Sequence, residues 1–316
     1  MSTDDAVRVV REQRIDVAID LNGYLQDPRT DIFAARVAPI QVAYLGYPST
    51  MGAEFIDYIV ADKIVAPPSQ RDNFTERLAY LPNCYQVNDT TARTVPSGPV
   101  FRKDHGLPDK ELVFCCFNNN NKINPDIFTD WMMILHRVPG SVLWLLKNRE
   151  VVVQNLRREA ATRGIDPDRL VFAPRVDLPD HLSRHRLADL FLDTFPVNAH
   201  TTASDALWTG LPVLTRQGTA FAGRVAASIL TAIGLQDDLV TLSREDYIER
   251  AVALAIDADR LEGIRKRLAE NLRTSSLFDV RRFTADLENL FEAMYRRHVS
   301  GLPPAELSVE GHVQAG

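Results

Sequence analysis

The chain has 316 residues, which is long enough for about two domains. Its 36 basic and 42 acidic side chains give a net charge of −6 with histidine neutral, so a dedicated nucleic-acid partner is not expected. A composition of 45% hydrophobic and 25% charged residues excludes wholesale disorder. With three cysteines, no apolar run of membrane-spanning length and no signal-like start, we expect a cytoplasmic protein without a membrane partner.

Apolar strand-like runs alternate with amphipathic stretches, which is typical of parallel sheets with helices on both faces. A helix over residues 4–13 precedes the first strand. The predicted strands of this first series are Ile15–Asp20, Ile40–Leu45, Asp57–Asp62 and Arg77–Pro82. The polar stretch Asn88–Pro99 shows no periodicity, and we interpret it as a linker between domains.

A second and better-formed series follows this linker. The run LVFCCF at Leu112–Phe117 is almost continuously apolar, as expected of a strand buried on both faces. The other predicted strands are Ser141–Leu146, Arg169–Pro174, Ala188–Asp193, Pro212–Thr215 and Leu239–Leu242, and the predicted helices are Pro125–Arg137, a stretch ending at Gly164, Thr202–Trp208 and Gly223–Ile233. This series predicts a doubly wound parallel sheet of about five or six strands.

The end of the chain is predicted to be helical. Two sets of apolar residues recur at spacings of three and four, so each forms one helical stripe. The stripes are Leu261, Ile264, Leu268 and Leu272, followed by Val280, Phe283, Leu287, Leu290 and Met294. The tail after Gly301 contains two prolines and no aromatic residue, and we predict that it is disordered.

Ligands of open α/β sheets bind beyond the carboxyl ends of the strands, where loops lead into helix N-termini. The hydroxyls of Thr201 and Thr202 and the free N–H groups of the helix that starts there favour a phosphate. Asp205, one turn further on, is placed to accept hydrogen bonds from a ribose. Lys122 adds a positive charge to the same pocket if the sheet places both loops side by side. These residues suggest a nucleoside diphosphate bound without a metal.

Ordinary explanations stay open for these features. A Thr–Thr pair at a helix start is often only a cap, and the Asn118–Asn121 run can be a solvated loop. Asp166–Asp168 and Asp257–Asp259 have the Asp-x-Asp form used by metal-dependent sugar transferases, but both precede helices, where Asp is a routine cap; we expect no metal. The sequence contains neither a Gly-x-Gly-x-x-Gly motif nor a P-loop.

Five long segments carry a specific resemblance. They are LNGYLQDPRTDIFAARVAPIQVAYLGYPSTMGAEFIDYIVAD, FNNNNKINPDIF, RVPGSVLWLLKN, RLADLFLDTFPVNAHTTASDALWTGLPVLT and GRVAASILTAIGL. From about Val7 to His298 the chain resembles the catalytic region of O-linked N-acetylglucosamine transferases, to which the SPINDLY-type enzymes are related. This resemblance implies an α/β fold of the GT-B type, with two Rossmann-like doubly wound domains. It also implies an inverting, metal-independent glycosyltransferase that moves a sugar, with GlcNAc favoured, from a UDP-sugar to protein Ser or Thr hydroxyls.

The resemblance further implies roles for individual residues. Lys122 matches a lysine that faces the diphosphate and stabilises the leaving group, and Asn119 matches a diphosphate contact that is more often Gln. The other matches are His200, Thr201 and Thr202 with the phosphates, Asp205 with the ribose, His181 and Arg184 on the uracil side, Leu146 as an apolar wall, and Leu45 and Gly46 facing sugar and acceptor. Leu178 replaces a lysine that contacts the uridine in the animal enzymes.

Relative to this family, the sequence lacks the tetratricopeptide repeats that select protein acceptors and the first strands and helices of the N-terminal domain. We therefore expect a partial N-terminal Rossmann-like domain over residues 1–97, a nucleotide-sugar-binding domain over 98–276, a C-terminal helix over 277–300 and a disordered tail over 301–316. We favour a fragment of a longer protein over a chain whose first sheet is partly open or completed by a partner chain.

Two other functions stay open from the sequence. Because the histidines proposed to act near the acceptor lie in the missing part, the chain could be a nucleotide-sugar-binding module or pseudoenzyme with weak or no transfer activity. The donor could also be another nucleotide sugar, such as the GDP-fucose of SPINDLY-type enzymes. His200 favours the GlcNAc branch of the family.

Overall fold

The computed structural model describes residues 1–91 and 93–309. These residues form two compact units. The units consist of Met1–Val87, Ala220–Ala222 and the chain from Asp279 onward, and of Asn88–Thr219 and Gly223–Phe278. Each unit contains one parallel sheet with helices, so the predicted α/β class with two Rossmann-like domains is confirmed. Among the described residues, no helix combines the length and apolar character needed to cross a membrane.

Strands and helices alternate along most of the described chain. The strands are β1 Val17–Asp20, β2 Ile40–Ala43, β3 Tyr58–Ala61, β4 Arg77–Tyr80, β5 Val113–Cys116, β6 Val142–Leu146, β7 Leu170–Ala173, β8 Leu190–Leu192, β9 Val213–Arg216, β10 Val240–Thr241 and β11 Leu307–Ser308. The α-helices are α1 Thr3–Glu12, α2 Thr30–Ala34, α3 Pro125–Arg137, α4 Glu150–Thr162, α5 Leu178–His185, α6 Thr201–Trp208, α7 Val225–Ala232, α8 Gln236–Leu239, α9 Arg244–Ile256, α10 Ala258–Asn271 and α11 Val280–Val299.

The sheet of the first unit has the order β1-β2-β3-β4-β11, and all its pairings are parallel. Every residue of β2 and β3 is buried, which requires cover on both faces of the sheet. Asp20, at the end of β1, lies in register with Ala43, at the end of β2. The loops that follow these two strands therefore start side by side.

The sheet of the second unit has the order β10-β9-β8-β5-β6-β7, again with parallel pairings. Strand β5 lies in the middle, where Cys115 pairs with Trp144 of β6 and with Phe191 of β8. All four residues of β5 are buried, as its apolar sequence predicts. Because β5 and β8 are parallel neighbours, the loops beyond their carboxyl ends lie next to each other.

Helix α3 shows how local sequence sets the element bounds. Asn124 precedes the helix, and its Oδ1 accepts hydrogen bonds from the N–H groups of Asp126 and Ile127, both at 3.0 Å. Pro125 occupies the first helical position, where its missing N–H breaks no helical hydrogen bond. The observed helix, Pro125–Arg137, has the bounds predicted from the sequence.

The prediction of a disordered tail over 301–316 is wrong for its described part. Leu307 and Ser308 form β11, in which Leu307 pairs with Ala79 of β4. A two-residue strand has too little sequence for a periodic pattern, and its order comes from the edge of β4, which offers free hydrogen-bonding groups. Residues 310–316 of the predicted tail lie outside the described residues.

The predicted domain boundaries differ from those of the two units in the structure. The first segment of unit one ends at Val87, about ten residues before the predicted boundary, so the predicted linker belongs to the second unit. Several hydrogen bonds attach this linker to that unit; among them, Asn88 Nδ2 donates to Leu277 O at 3.2 Å, and Arg186 donates to Pro96 O at 3.1 Å. The C-terminal helix, which we predicted as a separate segment, belongs to the first unit, where α11 contacts β2.

Candidate functional site

The two polar segments of the second unit meet beyond the carboxyl ends of β5 and β8. The Lys122 ammonium donates a hydrogen bond from Nζ to Asn198 O at 2.7 Å. A second link joins the segments, because Thr202 Oγ1 donates to Asn118 Oδ1. The order of the sheet thus brings together residues that lie more than 70 positions apart in the sequence.

A buried carboxylate fixes the shape of this meeting point. Asp193 follows β8 and accepts hydrogen bonds from Asn118 Nδ2 at 3.1 Å, from Ala199 N at 2.6 Å and from Thr215 Oγ1 at 2.7 Å. Burial raises the pKa of Asp193, and the hydrogen bonds from Thr215 and Ala199 and the charge of the Lys122 ammonium oppose that shift. Sequence reasoning missed Asp193; the only signal for it was a single carboxylate at the end of an apolar run.

Lys122 ends a 3-10 turn over Asn120–Lys122. Its side chain is half-buried, and burial lowers its pKa while the carboxylate of Asp193 opposes the change. An ammonium has three protons, and Asn198 O accepts one of them, so two are available to an anion. Asn119 precedes the turn, is exposed, and accepts a hydrogen bond from Asn121 N at 3.4 Å.

Helix α6 begins at Thr201, three residues after Asn198, whose carbonyl accepts the hydrogen bond from Lys122. His200 occupies the N-cap position and the helix starts at Thr201, so the ordinary explanation of the Thr–Thr pair as the cap of this helix is not observed. Thr201 is exposed and Thr202 half-buried. Among the described residues, the N–H groups of these two threonines donate to no acceptor, so the positive end of the helix dipole is open to an anion.

Asp205 lies one turn into α6 and is 7% exposed. Its partner is Arg93, whose Nε donates to Asp205 Oδ1 at 3.0 Å. Burial raises the pKa of Asp205, and the positive charge of Arg93 lowers it. Arg93 belongs to the stretch interpreted as a linker, and its partner is 112 residues away in the sequence, so no local pattern indicated this contact.

His181 and Arg184 lie together on α5. Arg184 donates to His181 Nδ1 at 2.5 Å and to Pro174 O at 2.6 Å, and its guanidinium carbon lies 4.7 Å from the ring centroid of Phe117. Because arginine only donates, Nδ1 of His181 is the acceptor and its ring proton is on Nε2. Burial lowers the pKa of His181 to about 4, and the charge of Arg184 acts in the same direction, so the ring is neutral near pH 7.

A cavity of about 300 Å³ lies beside Arg184. Ser183, His105 and Val176 are among the residues that line it. Among the described residues, Arg184 Nε and Ser183 Oγ have no hydrogen-bond partner although both are buried. A buried donor without a partner is costly, so this cavity suits a small polar group that accepts hydrogen bonds.

Leu146 and the pair Leu45–Gly46 complete the set of predicted residues. Leu146 is the last residue of β6, and its carbonyl accepts from Asn120 Nδ2 at 3.3 Å, next to the Lys122 turn. Leu45 and Gly46 belong to the first unit, in the loop after β2. Leu45 has a φ of 71°, and a Cβ on Gly46 would lie 2.0 Å from Leu21 O, so this loop passes very close to the loop after β1.

The acidic pairs considered as metal ligands act as local caps. Asp166 accepts a hydrogen bond from Asp168 N at 3.0 Å, and Asp257 accepts one from Arg260 N at 2.9 Å. Within residues 1–91 and 93–309, no cluster of three or more His, Cys, Asp or Glu side chains is arranged to bind a metal ion.

The sequence also matches a known protein family. The model of glycosyl transferase family 41 matches residues 2–94 and 89–287. The chain belongs to glycosyl transferase family 41.

Named relatives and solved structures are also similar to this chain. An Arabidopsis thaliana protein with the name "probable UDP-N-acetylglucosamine–peptide N-acetylglucosaminyltransferase SEC" is 39% identical over 98% of this chain, which spans 32% of that protein. The UDP-N-acetylglucosamine–peptide N-acetylglucosaminyltransferase of Caenorhabditis elegans is 31% identical over 94% of this chain, which spans 35% of it. The chain therefore spans about a third of the length of these curated relatives.

A mutant O-GlcNAc transferase from Thermobaculum terrenum superposes on this chain with a TM-score of 0.86. The match has 32% sequence identity and covers 95% of this chain and 57% of that structure. The Anabaena protein HepE, solved with UDP and glucose, shares the fold at a TM-score of 0.62 and 13% identity. Two Rossmann-like units in a family 41 chain confirm the predicted GT-B class.

Proposed function

We propose that this chain is the catalytic region of a glycosyltransferase that moves GlcNAc from UDP-GlcNAc to a Ser or Thr hydroxyl of a protein or peptide. We further propose that the transfer inverts the anomeric carbon and uses no metal. Membership of family 41 and the names of the relatives support the donor and the acceptor class. The inversion and the metal-free leaving-group chemistry rest on the family resemblance and on the site of the second unit.

One observation carries the proposal: the Lys122 ammonium is hydrogen-bonded to Asn198 in the segment that leads into α6, and Asn118 accepts a hydrogen bond from Thr202 at the open start of that helix. An ammonium and unpaired helix N–H groups are the donors that a diphosphate requires. The buried Asp193 beneath them holds the loop after β8 in place through its hydrogen bond from Ala199 N. The site is therefore preorganised before the ligand arrives.

In the proposed reaction the acceptor hydroxyl attacks the anomeric carbon from the face opposite UDP. The bond from that carbon to the β-phosphate oxygen breaks, negative charge develops on the diphosphate, and the proton of the attacking hydroxyl is released to solvent as the new C–O bond forms. Lys122 and the N–H groups of Thr201 and Thr202 stabilise this charge in a partly buried site, where electrostatic interactions are stronger than in water. Asn119, exposed at the start of the Lys122 turn, is placed to add one donor.

We assign the nucleoside to the remaining residues of the second unit. The neutral His181 presents an Nε2 proton to a carbonyl oxygen of the uracil, and Arg184 fixes its ring. Leu146 forms an apolar wall, and Asp205 accepts from the ribose. In the first unit, Leu45 and Gly46 are proposed to face the sugar and the acceptor.

The test measures binding and transfer in the same samples. Calorimetry compares UDP with GDP, and a radiolabelled UDP-GlcNAc assay with an acceptor peptide follows sugar transfer, with and without EDTA. The proposal predicts preferential UDP binding and EDTA-insensitive transfer. Binding of UDP without transfer or hydrolysis selects the binding module, a preference for GDP selects another donor, and loss of transfer in EDTA contradicts the metal-free mechanism.

A further inference from the structure

Arg93 connects the predicted linker to the candidate nucleotide site. Its guanidinium pairs with Asp205 through Nε, and each of the two side chains is only 9% exposed. A second guanidinium nitrogen donates to Asp89 O at 3.0 Å, and the backbone carbonyl of Arg93 accepts from Trp208 Nε1 at 2.9 Å. Arg93 is thus fixed at its side chain and at its backbone, and two of these contacts are with α6.

This pairing sets the chemical state of Asp205. A carboxyl buried without a cation tends to take up a proton, and a protonated carboxyl is a donor as well as an acceptor. Arg93 supplies a positive charge that lowers the pKa of Asp205 against the effect of burial and so favours the carboxylate, whose oxygens only accept. The hydrogen bond from Arg93 Nε goes to Oδ1 alone, so it also holds the carboxylate of Asp205 in one orientation.

The second oxygen of Asp205 stays available. Among the described residues, Oδ2 accepts no hydrogen bond, and the side chain keeps some exposure to solvent. Asp205 lies four residues after Thr201, so the two share one face of α6, about 6 Å apart along the axis. A diphosphate at the helix start places the hydroxyls of the attached ribose within reach of Oδ2.

We propose that Arg93 is a positioning residue that confers selectivity for a ribose, with its hydroxyls intact, over a deoxyribose. This inference rests on the proposed function, because it requires that a nucleoside diphosphate binds at α6. Arg93 acts through Asp205 and does not touch the reacting atoms. Neither the comparisons nor the sequence patterns point to this residue.

The test compares UDP with 2′,3′-dideoxy-UDP by calorimetry. Wild-type protein should bind UDP about tenfold or more tightly than the dideoxy compound, since a hydrogen bond to a carboxylate is lost. In Arg93→Gln the ratio of the two dissociation constants should fall to near one, while the affinity for the dideoxy compound changes little. Arg93→Lys keeps the positive charge and should retain most of the preference for UDP. A purely structural role of Arg93 does not explain such a difference between the two variants.

Arg102 supplies the matched control. It also pairs with a carboxylate of the second unit, Asp189 at 2.7 Å, but away from α6. Arg102→Gln should lower the melting temperature without changing the ratio of the two affinities. If Arg93→Gln does not fold, Arg93→Met, which also removes the cation but keeps an unbranched side chain, provides the second measurement of the ratio.

The outcomes separate this inference from the proposed function. Wild-type protein that binds neither UDP nor the dideoxy compound overturns both. Wild-type protein that binds UDP tightly, with a ratio unchanged in Arg93→Gln and Arg93→Lys, overturns the role of Arg93 alone. Equal binding of the two compounds by wild type also overturns this role and leaves the diphosphate site intact.

Discussion

Lys122 combines a positive charge with a fixed position. Its ammonium is bonded to Asn198 O and lies near the buried carboxylate of Asp193, which favours its charged form against the effect of burial. A cation held in this way needs little reorganisation when charge develops on a leaving group. We therefore expect the side chain to matter more for the proposed transfer step than for folding.

We predict that Lys122→Met lowers the rate of sugar transfer by about 100- to 1000-fold, as expected when one preorganised donor to a developing charge is removed. UDP affinity should fall by about tenfold, because a charge-assisted hydrogen bond is lost, while uridine affinity stays unchanged. Rate assays and calorimetry measure these effects. The exposed Lys266→Met is the control and should behave as wild type; equal rates for Lys122→Met and wild type would remove Lys122 from the mechanism.

At the residue scale, the sequence predicted the positions of polar residues better than their partners. Lys122 follows a strand, Thr202 lies at the start of a helix and Asp205 one turn further on, and these positions alone indicated that they lie at one edge of a sheet. Asp193 and Arg93 escaped prediction because their significance depends on contacts 75 and 112 residues away. Such contacts are set by the sheet order, which no local pattern specifies.

At the element scale, the loop after β2 carries a strict steric requirement. Gly46 has no Cβ, and a Cβ built there would lie 2.0 Å from Leu21 O in the loop after β1. A backbone carbonyl cannot move away as a flexible side chain does. The two loops of the first unit can therefore approach only if this residue is glycine.

We predict that Gly46→Ala lowers the free energy of unfolding by about 1–3 kcal/mol, the usual cost of forcing an extra group into a packed site. Urea denaturation measures this change. Gly98→Ala is the control, because a Cβ there meets no atom within 4 Å and the residue has no positive φ. Equal destabilisation by both substitutions would show that the approach of the two loops does not constrain residue 46.

The sequence predicted the elements themselves well where their patterns are long. Helix α3 has the predicted bounds because an Asn cap and a proline mark its start. Strand β11 was missed because two residues carry no periodic signal and depend on the edge of β4. Elements with their own hydrophobic pattern are thus predictable, and elements whose order comes from a neighbour are not.

At the scale of the whole molecule, the number of units was predictable and their boundaries were not. Two series of strands indicated two sheets, and the structure has two. The polar stretch after residue 87 has the composition of a free linker, yet Asn88 and Arg93 attach it to the second unit. The C-terminal helix returns to the first unit, a long-range arrangement that its apolar stripe alone does not reveal.

Stability of the second unit should depend on pH through a buried histidine. His185 donates from Nδ1 to His181 O at 2.7 Å, and burial lowers the pKa of His185 to about 3. In the unfolded chain the ring of His185 takes up a proton with a pKa near 6.5. The contribution of the neutral, buried His185 to stability is therefore complete above that pH. It is lost as the pH falls from about 6.5 toward 3, by up to about 1.4 kcal/mol per pH unit.

We predict that His185→Asn flattens this dependence, because the Asn amide can still donate to His181 O but does not titrate. Urea denaturation at several pH values between about 7 and 4 measures the slope. The exposed His298→Asn should keep the wild-type slope. Identical slopes for His185→Asn and wild type would mean that His185 does not titrate on unfolding in this range.

The central claim is that the segments 118–122 and 198–205 bind one diphosphate together. A crystal structure of the chain with UDP measures this directly. We predict that diphosphate oxygens lie within about 3 Å of Lys122 Nζ and of the N–H groups of Thr201 and Thr202. A complex in which UDP binds elsewhere, while Lys122 still contacts only Asn198 O and the start of α6 contacts no phosphate, would contradict the account.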